Sequence, residues 1–247
     1  MRAIILAAGI GTRLNPLTDG LPKCLVPFGA QTLLDRQIGA LRSVGAEEFV
    51  IVTGYEEAKI RKHCGSHHDG TRITYIENRE FASTNSIHSL HLAHDVLDVE
   101  CFLLNCDIVF PSAVVRRMVA SEHDNVIAVD SYAELVSGEM NIRLDTTTSK
   151  VDEVSKELDP VGAQARSMQI IKFDASGARA VAQEVARLIN EGNSDRFPTS
   201  AYGPLIQEGR LFAVEAGDLS WAEIDSTEDY EQAIESILKL MSDSHGE

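Results

Sequence analysis

The sequence predicts an α/β fold, with a mostly parallel sheet covered by helices on both faces. Three observations carry that expectation. Short apolar runs alternate with helix-periodic stretches through the first half of the chain. A glycine-containing turn, Gly9-Ile10-Gly11, follows the first apolar run directly. Asp107 closes the fourth run, so both features fall at the carboxyl edge of the sheet, where such folds bind ligands.

Taken in order, strands are expected over residues 3–6, 49–52, 73–76, 102–106 and 126–129. Helices are expected between them, over 33–43, 56–63, 86–96 and 111–121. After residue 129 the rhythm changes. Runs at 140–144, 151–154 and 168–173 read as strands joined by turns, followed by a helix over 178–190. The polar stretch 192–199, with Pro198, reads as a loop, and 213–214 and 221–224 as short strands. Residues 227–241 form an amphipathic pattern with Tyr230, Ala233, Ile234, Ile237 and Leu238 on one face, before a polar tail over 242–247 that is expected to fray. No repeat or low-complexity segment interrupts the 247 residues, and an apolar fraction of 44% suffices for one sizeable core.

Charge and composition narrow the function classes. A formal charge of −16 repels nucleic acid, so an anionic substrate must meet a local positive patch. No apolar run approaches the ~18 residues of a membrane span, and Gly9 cuts the opening run before it could act as a signal peptide. A cytoplasmic chain without membrane partners is expected. Cys101 and Cys106 face opposite ways on one strand, while Cys24 and Cys64 have no partner close by in sequence, so all four read as reduced thiols.

The turn after the first strand runs Leu6-Ala7-Ala8-Gly9-Ile10-Gly11-Thr12-Arg13-Leu14 and closes on Pro22-Lys23. Small residues free the backbone N–H groups to wrap a polyphosphate, and Arg13 and Lys23 add fixed positive charge. Leu14 stands where a dinucleotide-binding fingerprint needs its third glycine, and no Gly-Lys-Ser/Thr follows. Gly-x-Gly alone is compatible with a tight turn; Arg13, Pro22 and Lys23 in register favour phosphate.

Two carboxylates stand out. Asp107 lies inside Phe102-Leu103-Leu104-Asn105-Cys106-Asp107-Ile108-Val109-Phe110, where an ionised group needs a cation or several donors. With Pro111 as first helical residue, the cap of the next helix would fall on Phe110 rather than Asp107, which favours a metal role. Asp225, in Trp221-Ala222-Glu223-Ile224-Asp225-Ser226-Thr227, is open locally: Asp225, Ser226 or Thr227 could each cap the next helix. Glu223 faces the same side and reads as solvated rather than as a partner of Asp225. The cluster His63-Cys64-Gly65-Ser66-His67-His68-Asp69 invites a zinc assignment, but its spacing fits no paired ligand pattern. A polar loop between a helix and the third strand explains it more simply.

The string from Leu6 to Leu14, closing on Pro22-Lys23, resembles the signature of the nucleotidyltransferase superfamily. The resemblance implies a Rossmann-like three-layer αβα nucleotidyltransferase fold with a mixed, mostly parallel sheet. It divides a single domain into a nucleotide-binding half, 1–130, and an acceptor-binding half with the C-terminal helix, 131–247. It implies that Leu6, Ala8, Gly9, Gly11 and Thr12 wrap the triphosphate, that Arg13 and Lys23 bind it and act as the catalytic cations, and that Mg²⁺ sits on Asp107 and Asp225.

The segment 77–90 holds Ala82-Ser83-Thr84-Asn85-Ser86-Ile87-His88-Ser89-Leu90 in place of the Gln-Pro-x-Gly stretch usual in sugar-1-phosphate members. It resembles the cytidylyltransferases acting on phosphocholine, aminoethylphosphonate and phosphoglutamine. Ser83, Thr84, Asn85 and Ser86 then read the nucleotide at a helix N-terminus, although capping alone also explains such residues. On the acceptor side the resemblance brings in Tyr202, but Gly203 and Pro204 offer neither ring nor charge for a quaternary ammonium. Lys156 is either a holder of the acceptor phosphate or a solvated lysine.

The expected activity is transfer of CMP from CTP to a small phosphorylated or phosphonate acceptor, with Mg²⁺ as cofactor and pyrophosphate released. The alternatives are a sugar-1-phosphate nucleotidyltransferase using UTP, GTP or CTP, and a catalytically silent regulatory subunit on the same fold. A homodimer is compatible with all three readings.

Overall fold

The structure is a computed structural model and describes residues 1–238. The first strand, β1 (Arg2–Ala7), is buried along nearly its whole length, with Ala3, Ile5 and Ala7 facing one core and Ile4 and Leu6 the other. That two-sided burial is what an unbroken apolar run of this length encodes. A two-stranded hairpin of β2 (Pro27–Phe28) and β3 (Gln31–Thr32) leads into α1 (Leu33–Arg42). There follow β4 (Glu48–Thr53), α2 (Glu57–Cys64), β5 (His67–His68), β6 (Thr71–Glu77), α3 (Ser86–Leu92), β7 (Cys101–Asn105), β8 (Ile108–Val109), α4 (Ser112–Ala120) and β9 (Val126–Asp130). The second half adds β10 (Asn141–Leu144), β11 (Val151–Ser155), β12 (Ala165–Phe173), α5 (Ala175–Asn190), α6 (Gly203–Gln207), β13 (Phe212–Glu215), β14 (Ala222–Glu223) and α7 (Thr227–Ala233).

Ten strands share one sheet, ordered β11-β10-β12-β7-β1-β4-β6-β5, with β9 pairing β12 and β13. The pairs β7-β1, β1-β4, β4-β6 and β9-β13 are parallel; β12 runs antiparallel to β7, β9 and β10. The sheet is therefore mixed, with a parallel centre. Leu34 and Ile38 of α1, Ile60 of α2 and Val114 and Met118 of α4 pack on one face; Ile87 of α3, Val181 of α5 and Leu205 of α6 pack on the other. Among the described residues, no helix is long and apolar enough to cross a membrane.

Several local expectations are corrected. The stretch read as a helix over 86–96 is α3 followed by a 3-10 turn over His94–Val96. Pro111 is the cap of α4 rather than its first residue. The helix begun at 178 starts at Ala175, because Asp174 caps it by accepting from the Gly177 N–H, a signal outside the apolar period. The loop over 192–199 gives way to a 3-10 turn over Pro198–Tyr202 and to α6, which tolerates Pro204 in its first turn. His67 and His68 are not loop but a strand, antiparallel to Thr71 and Arg72. The C-terminal helix is α through Ala233 and π over Ile234–Leu238; the expected continuation to 241 and the tail 242–247 lie outside the described residues. All four cysteines are free and buried, as reduced thiols require, but Cys24 meets Cys106 across the core.

A third apolar cluster positions the site. Leu14, Val26, Phe28, Val109, Ile224 and Ile237 pack together, locking the segment after the glycine turn against β8 and the C-terminal helix. The brief antiparallel pairing of β8 with β14 sets Ala222 opposite Val109 and Glu223 opposite Ile108. The Ile224 N–H donates to the Asp107 carbonyl at 2.9 Å. Residues more than a hundred positions apart are thereby held at one edge of the sheet.

Candidate active site

A cavity of about 470 Å³ opens at the carboxyl ends of β1 and β7. Its walls include the glycine turn (Leu6, Ala8, Gly9, Gly11, Thr12), Arg13, Lys23, Thr84, Asn85, Ser86, Asp107, Lys156 and Asp225. Gly11 adopts φ +69°, and a Cβ there would lie 3.2 Å from the Lys23 Cβ, so the turn is shaped around the lysine stem.

Lys23 bridges the two aspartates. Its Nζ donates to Asp107 Oδ2 at 2.8 Å and to Asp225 Oδ1 at 2.6 Å, while Arg13 donates to Asp225 Oδ2 at 2.9 Å. Burial lowers the affinity of Lys23 for its proton, but the facing carboxylates outweigh it and hold the ammonium well above the ordinary lysine range. Burial pushes Asp225 upward, yet Lys23, Arg13 and Lys156 hold it below the usual carboxylate value. The helix cap falls on Ser226, which accepts from the Asp229 N–H and closes a capping box with it. Asp225 is therefore free of the capping role that its sequence context left open.

Glu223 is corrected from a solvated side chain to a buried one, its side chain only 8% exposed. Its carboxylate and those of Asp107 and Asp225 present oxygens within 4.8 Å of one another. Burial, followed by the charges of Asp107 and Asp225, pushes Glu223 up to about 7. Arg166 stands 3.5 Å away but is shared with Glu139 at 2.8 Å, so it does not cancel that crowding. The Oδ1 of Asp107 is buried with no hydrogen-bond partner. Three converging carboxylates, one of which carries an unsatisfied buried oxygen, fit a divalent cation.

The crowding has a measurable consequence. A carboxyl whose folded pKa exceeds its unfolded value weakens the fold as pH rises between the two, here from about 4.5 to about 7. Glu223→Gln is therefore expected to raise the metal-free Tm by about 3–5 °C at pH 8. The gain should shrink toward zero as pH falls through 5. An equal shift at both pH values would show that ionisation of Glu223 is not its source.

Not every anticipated residue lies here. Tyr202 is corrected: it is 4% exposed and packs edge-on against Phe173 at 5.7 Å in the core, outside this cavity. Ser83 is also outside the lining; its hydroxyl donates to the Glu80 carbonyl and stabilises a turn. Lys156 does reach the cavity, with Nζ 5.1 Å from the centre of the Phe197 ring.

Other lining residues went unread in the sequence. Asn78 donates to Ser89 at 3.0 Å and accepts from the Glu80 N–H, bracing the turn before α3. Asn105 donates to the Gln169 Oε1 at 2.8 Å, and Gln169 sits at φ 55° where the β12–β9 register slips. Its buried amide lies beside the Glu223 carboxylate, which it helps to stabilise in the ionised form. Asn78 and Asn105 share a legible signal, a polar amide at or just past the end of a strand. Gln169 has none, because its place depends on a register slip. The backbone N–H of Asn85 donates to the Ser194 carbonyl at 2.8 Å, and that of Ile87 to the Arg196 carbonyl at 3.3 Å. The turn before α3 is thus joined to the segment carrying Phe197.

A parallel-centred sheet with a glycine turn, two cations and three carboxylates gathered at its carboxyl edge is the arrangement of a nucleotide-transfer fold. Residues 3–191 match the family model described as the MobA-like NTP transferase domain, and the chain belongs to that family. It is a nucleotidyltransferase.

The chain is 29% identical over 243 residues to a CMP-5'-(3-aminopropyl)phosphonate synthase of Streptomyces rubellomurinus, covering 94% of this chain and 38% of that protein. It is also 29% identical over 262 residues to a CTP:phosphoglutamine cytidylyltransferase of Campylobacter jejuni, covering 95% of this chain and all of that one. The chain thus spans well under half of the first relative and the whole of the second. Among solved structures, the CTP:phosphocholine cytidylyltransferase of Streptococcus pneumoniae superposes with a TM-score of 0.75 at 23% identity, covering 95% of this chain and 97% of that one. That likeness shows the shared three-layer fold.

Proposed function

We propose that this nucleotidyltransferase is a Mg²⁺-dependent cytidylyltransferase, moving CMP from CTP to a small phosphorylated or phosphonate acceptor. The observation that carries the reading is the meeting of the glycine turn, Lys23 and three carboxylates in one cavity that Thr84, Asn85 and Ser86 also line. Relatives that cover nearly the whole chain and use CTP or form a CMP conjugate support the choice of base. The first half of the chain binds nucleotide in this reading, and the second supplies the acceptor side and the closing helix.

An acceptor phosphate or phosphonate oxygen attacks the α-phosphorus of CTP. The bond from that phosphorus to the β-phosphate bridging oxygen breaks, and pyrophosphate departs with its electron pair. The acceptor is already an anion near neutral pH, so no general base is needed; the difficulty is bringing anions together. Asp107, Asp225 and the adjoining Glu223 are the residues that would hold Mg²⁺, which supplies charge neutralisation at the α-phosphate and incoming oxygen. Arg13 and Lys23 stabilise the charge that grows on the leaving pyrophosphate, and the Gly9–Gly11 backbone cradles it. Thr84, Asn85 and Ser86 line the part of the cavity that takes the base, with Asn78 bracing their turn, and Lys156 beside Phe197 takes the acceptor phosphate.

The reading is tested by offering each of the four NTPs with Mg²⁺ and a panel of phosphorylated, phosphonate and sugar-1-phosphate acceptors, assaying pyrophosphate. CTP should be used at least about tenfold better than UTP, a difference of about 1.4 kcal/mol in transition-state binding. Equal or better turnover with UTP or GTP and a sugar phosphate would move the chain to the sugar-1-phosphate branch. No pyrophosphate from any combination would leave a binding protein.

A further inference from the structure

The histidine-rich stretch after α2, which the transfer reaction does not use, is built around a carboxylate from another element. Asp35 stands in the first turn of α1. Its Oδ2 accepts from the Thr32 N–H at 2.9 Å, and its own N–H donates to Thr32 Oγ1 at 3.1 Å. That capping box fixes the carboxylate and leaves Oδ1 pointing outward. His63, in the last turn of α2, brings Nε2 to 2.8 Å from this oxygen, and His68, on β5, brings its Nε2 to 2.9 Å from the same atom. The two rings lie 5.5 Å apart at 34°. The three side chains are 15–31% exposed, so the group is sheltered yet reachable from solvent. None of the three lines the active-site cavity.

We propose that Asp35, His63 and His68 form a second metal site, separate from the carboxylates of the transfer centre, that takes Zn²⁺ or a similar imidazole-preferring dication. The donor set decides the metal class: two imidazole nitrogens and one carboxylate oxygen suit Zn²⁺ and its neighbours, whereas Mg²⁺ prefers oxygen alone. All three ligand atoms already lie within 4.8 Å of one another. Bonds of about 2.0–2.1 Å in a tetrahedron place ligand atoms about 3.3 Å apart, so each Nε2–Oδ1 pair needs to open by only about half an ångström. To bind the ion, each imidazole presents its Nε2 lone pair and carries its remaining proton on Nδ1. Solvent supplies the remaining position. The capping box does for Asp35 what an outer hydrogen bond does for any good ligand, holding its orientation before the metal arrives. The bound ion would tie α1, α2 and β5 together, three elements otherwise joined here by hydrogen bonds to one oxygen.

The experiment uses the whole chain, stripped with EDTA and then returned to excess Mg²⁺ to satisfy the carboxylates of the cavity. Zn²⁺ titrated by calorimetry should bind with one equivalent, and saturating Zn²⁺ should raise Tm by about 5 °C. In the double variant His63→Gln/His68→Gln the affinity should fall by more than the about 10–100-fold that losing an outer-sphere partner costs, and the Tm gain should vanish. Asp35→Asn, which keeps the cap but not the charge, guards against a folding defect and should weaken binding alone. Co²⁺ in place of Zn²⁺ should give a visible absorption band in the wild type that both variants lack. Zn²⁺ bound equally by all three proteins, or by none at micromolar concentration, overturns the site. CTP turnover with Mg²⁺ should be unchanged in the double variant.

Discussion

Asp225→Ala is expected to lower turnover by about a thousandfold or more, a loss of about 4 kcal/mol in transition-state stabilisation, while the chain stays folded. The separation of these effects comes from local geometry. The cap of the last helix is Ser226, so the helix keeps its N-terminal hydrogen bonds when Asp225 loses its carboxylate. The carboxylate instead accepts from Lys23 at 2.6 Å and from Arg13 at 2.9 Å and faces Asp107 and Glu223. Asp107→Ala should behave alike, since its Oδ1 is buried and unsatisfied in the protein alone. Pyrophosphate release and a thermal melt on the same samples decide the matter. Near-normal turnover with a lowered Tm would return Asp225 to a structural role and leave the metal site wrongly drawn.

Lys23→Ala carries the second large effect. Loss of one preorganised cation from a polyphosphate site costs about 10²–10³-fold in rate, so kcat/KM should fall by at least about 10²-fold. The geometry adds a stability consequence. Lys23 is the ammonium between Asp107 and Asp225, and its side chain is only 10% exposed. Without it, two half-buried carboxylates and Glu223 face each other with Arg13 as the nearest cation. The metal-free variant should therefore melt lower than wild type, and added Mg²⁺ should recover much of the difference, because a dication can replace the missing charge. A variant that melts like wild type without Mg²⁺ would mean that Lys23 does not neutralise the pair. CTP binding unchanged both here and in Gly11→Val, measured by calorimetry with Mg²⁺ present, would mean that the glycine turn does not hold the triphosphate.

The sequence carried the local part of this arrangement well. β1, β4, β6, β7 and β9 each lie within two residues of the runs that foretold them; β1, β4, β7 and β9 do so because strands buried on both faces leave an uninterrupted apolar signal, whereas β6 alternates, with Arg72 and Glu77 exposed. Asp107 was legible for the same reason, as a charge where burial makes a bare charge costly. What stayed hidden depended on pairing between distant segments. Glu223 looked solvated because alternation on a two-residue strand says nothing about what the strand faces; its pairing with Ile108 puts it against two carboxylates. Tyr202 was sought in the acceptor site, but a 3-10 turn rotates it into the core. Asp35 was invisible as a partner of the histidines because its sequence context reads as a helix cap, which it also is.

The hydrogen bonds from Asn85 and Ile87 to the chain at Ser194 and Arg196 set a rule for the kinetics. The Asn85 side chain adds a third bond, to the Asp195 carbonyl at 3.0 Å. The turn proposed to meet the nucleotide and the strip leading to Phe197 are one hydrogen-bonded unit, so a ligand that orders the first is expected to order the second. On the proposed assignment the two binding free energies are expected to be linked, and any such linkage is reciprocal: a filled nucleotide subsite would tighten the acceptor by the same factor that a filled acceptor subsite tightens the nucleotide. Changes confined to 194–197 should consequently appear in the Kd for nucleotide, although none of the first three of those residues lines the cavity. Selection for a new acceptor in such an enzyme would work against a fixed background of base recognition, and evolutionary drift at this strip would be constrained by a substrate it does not touch.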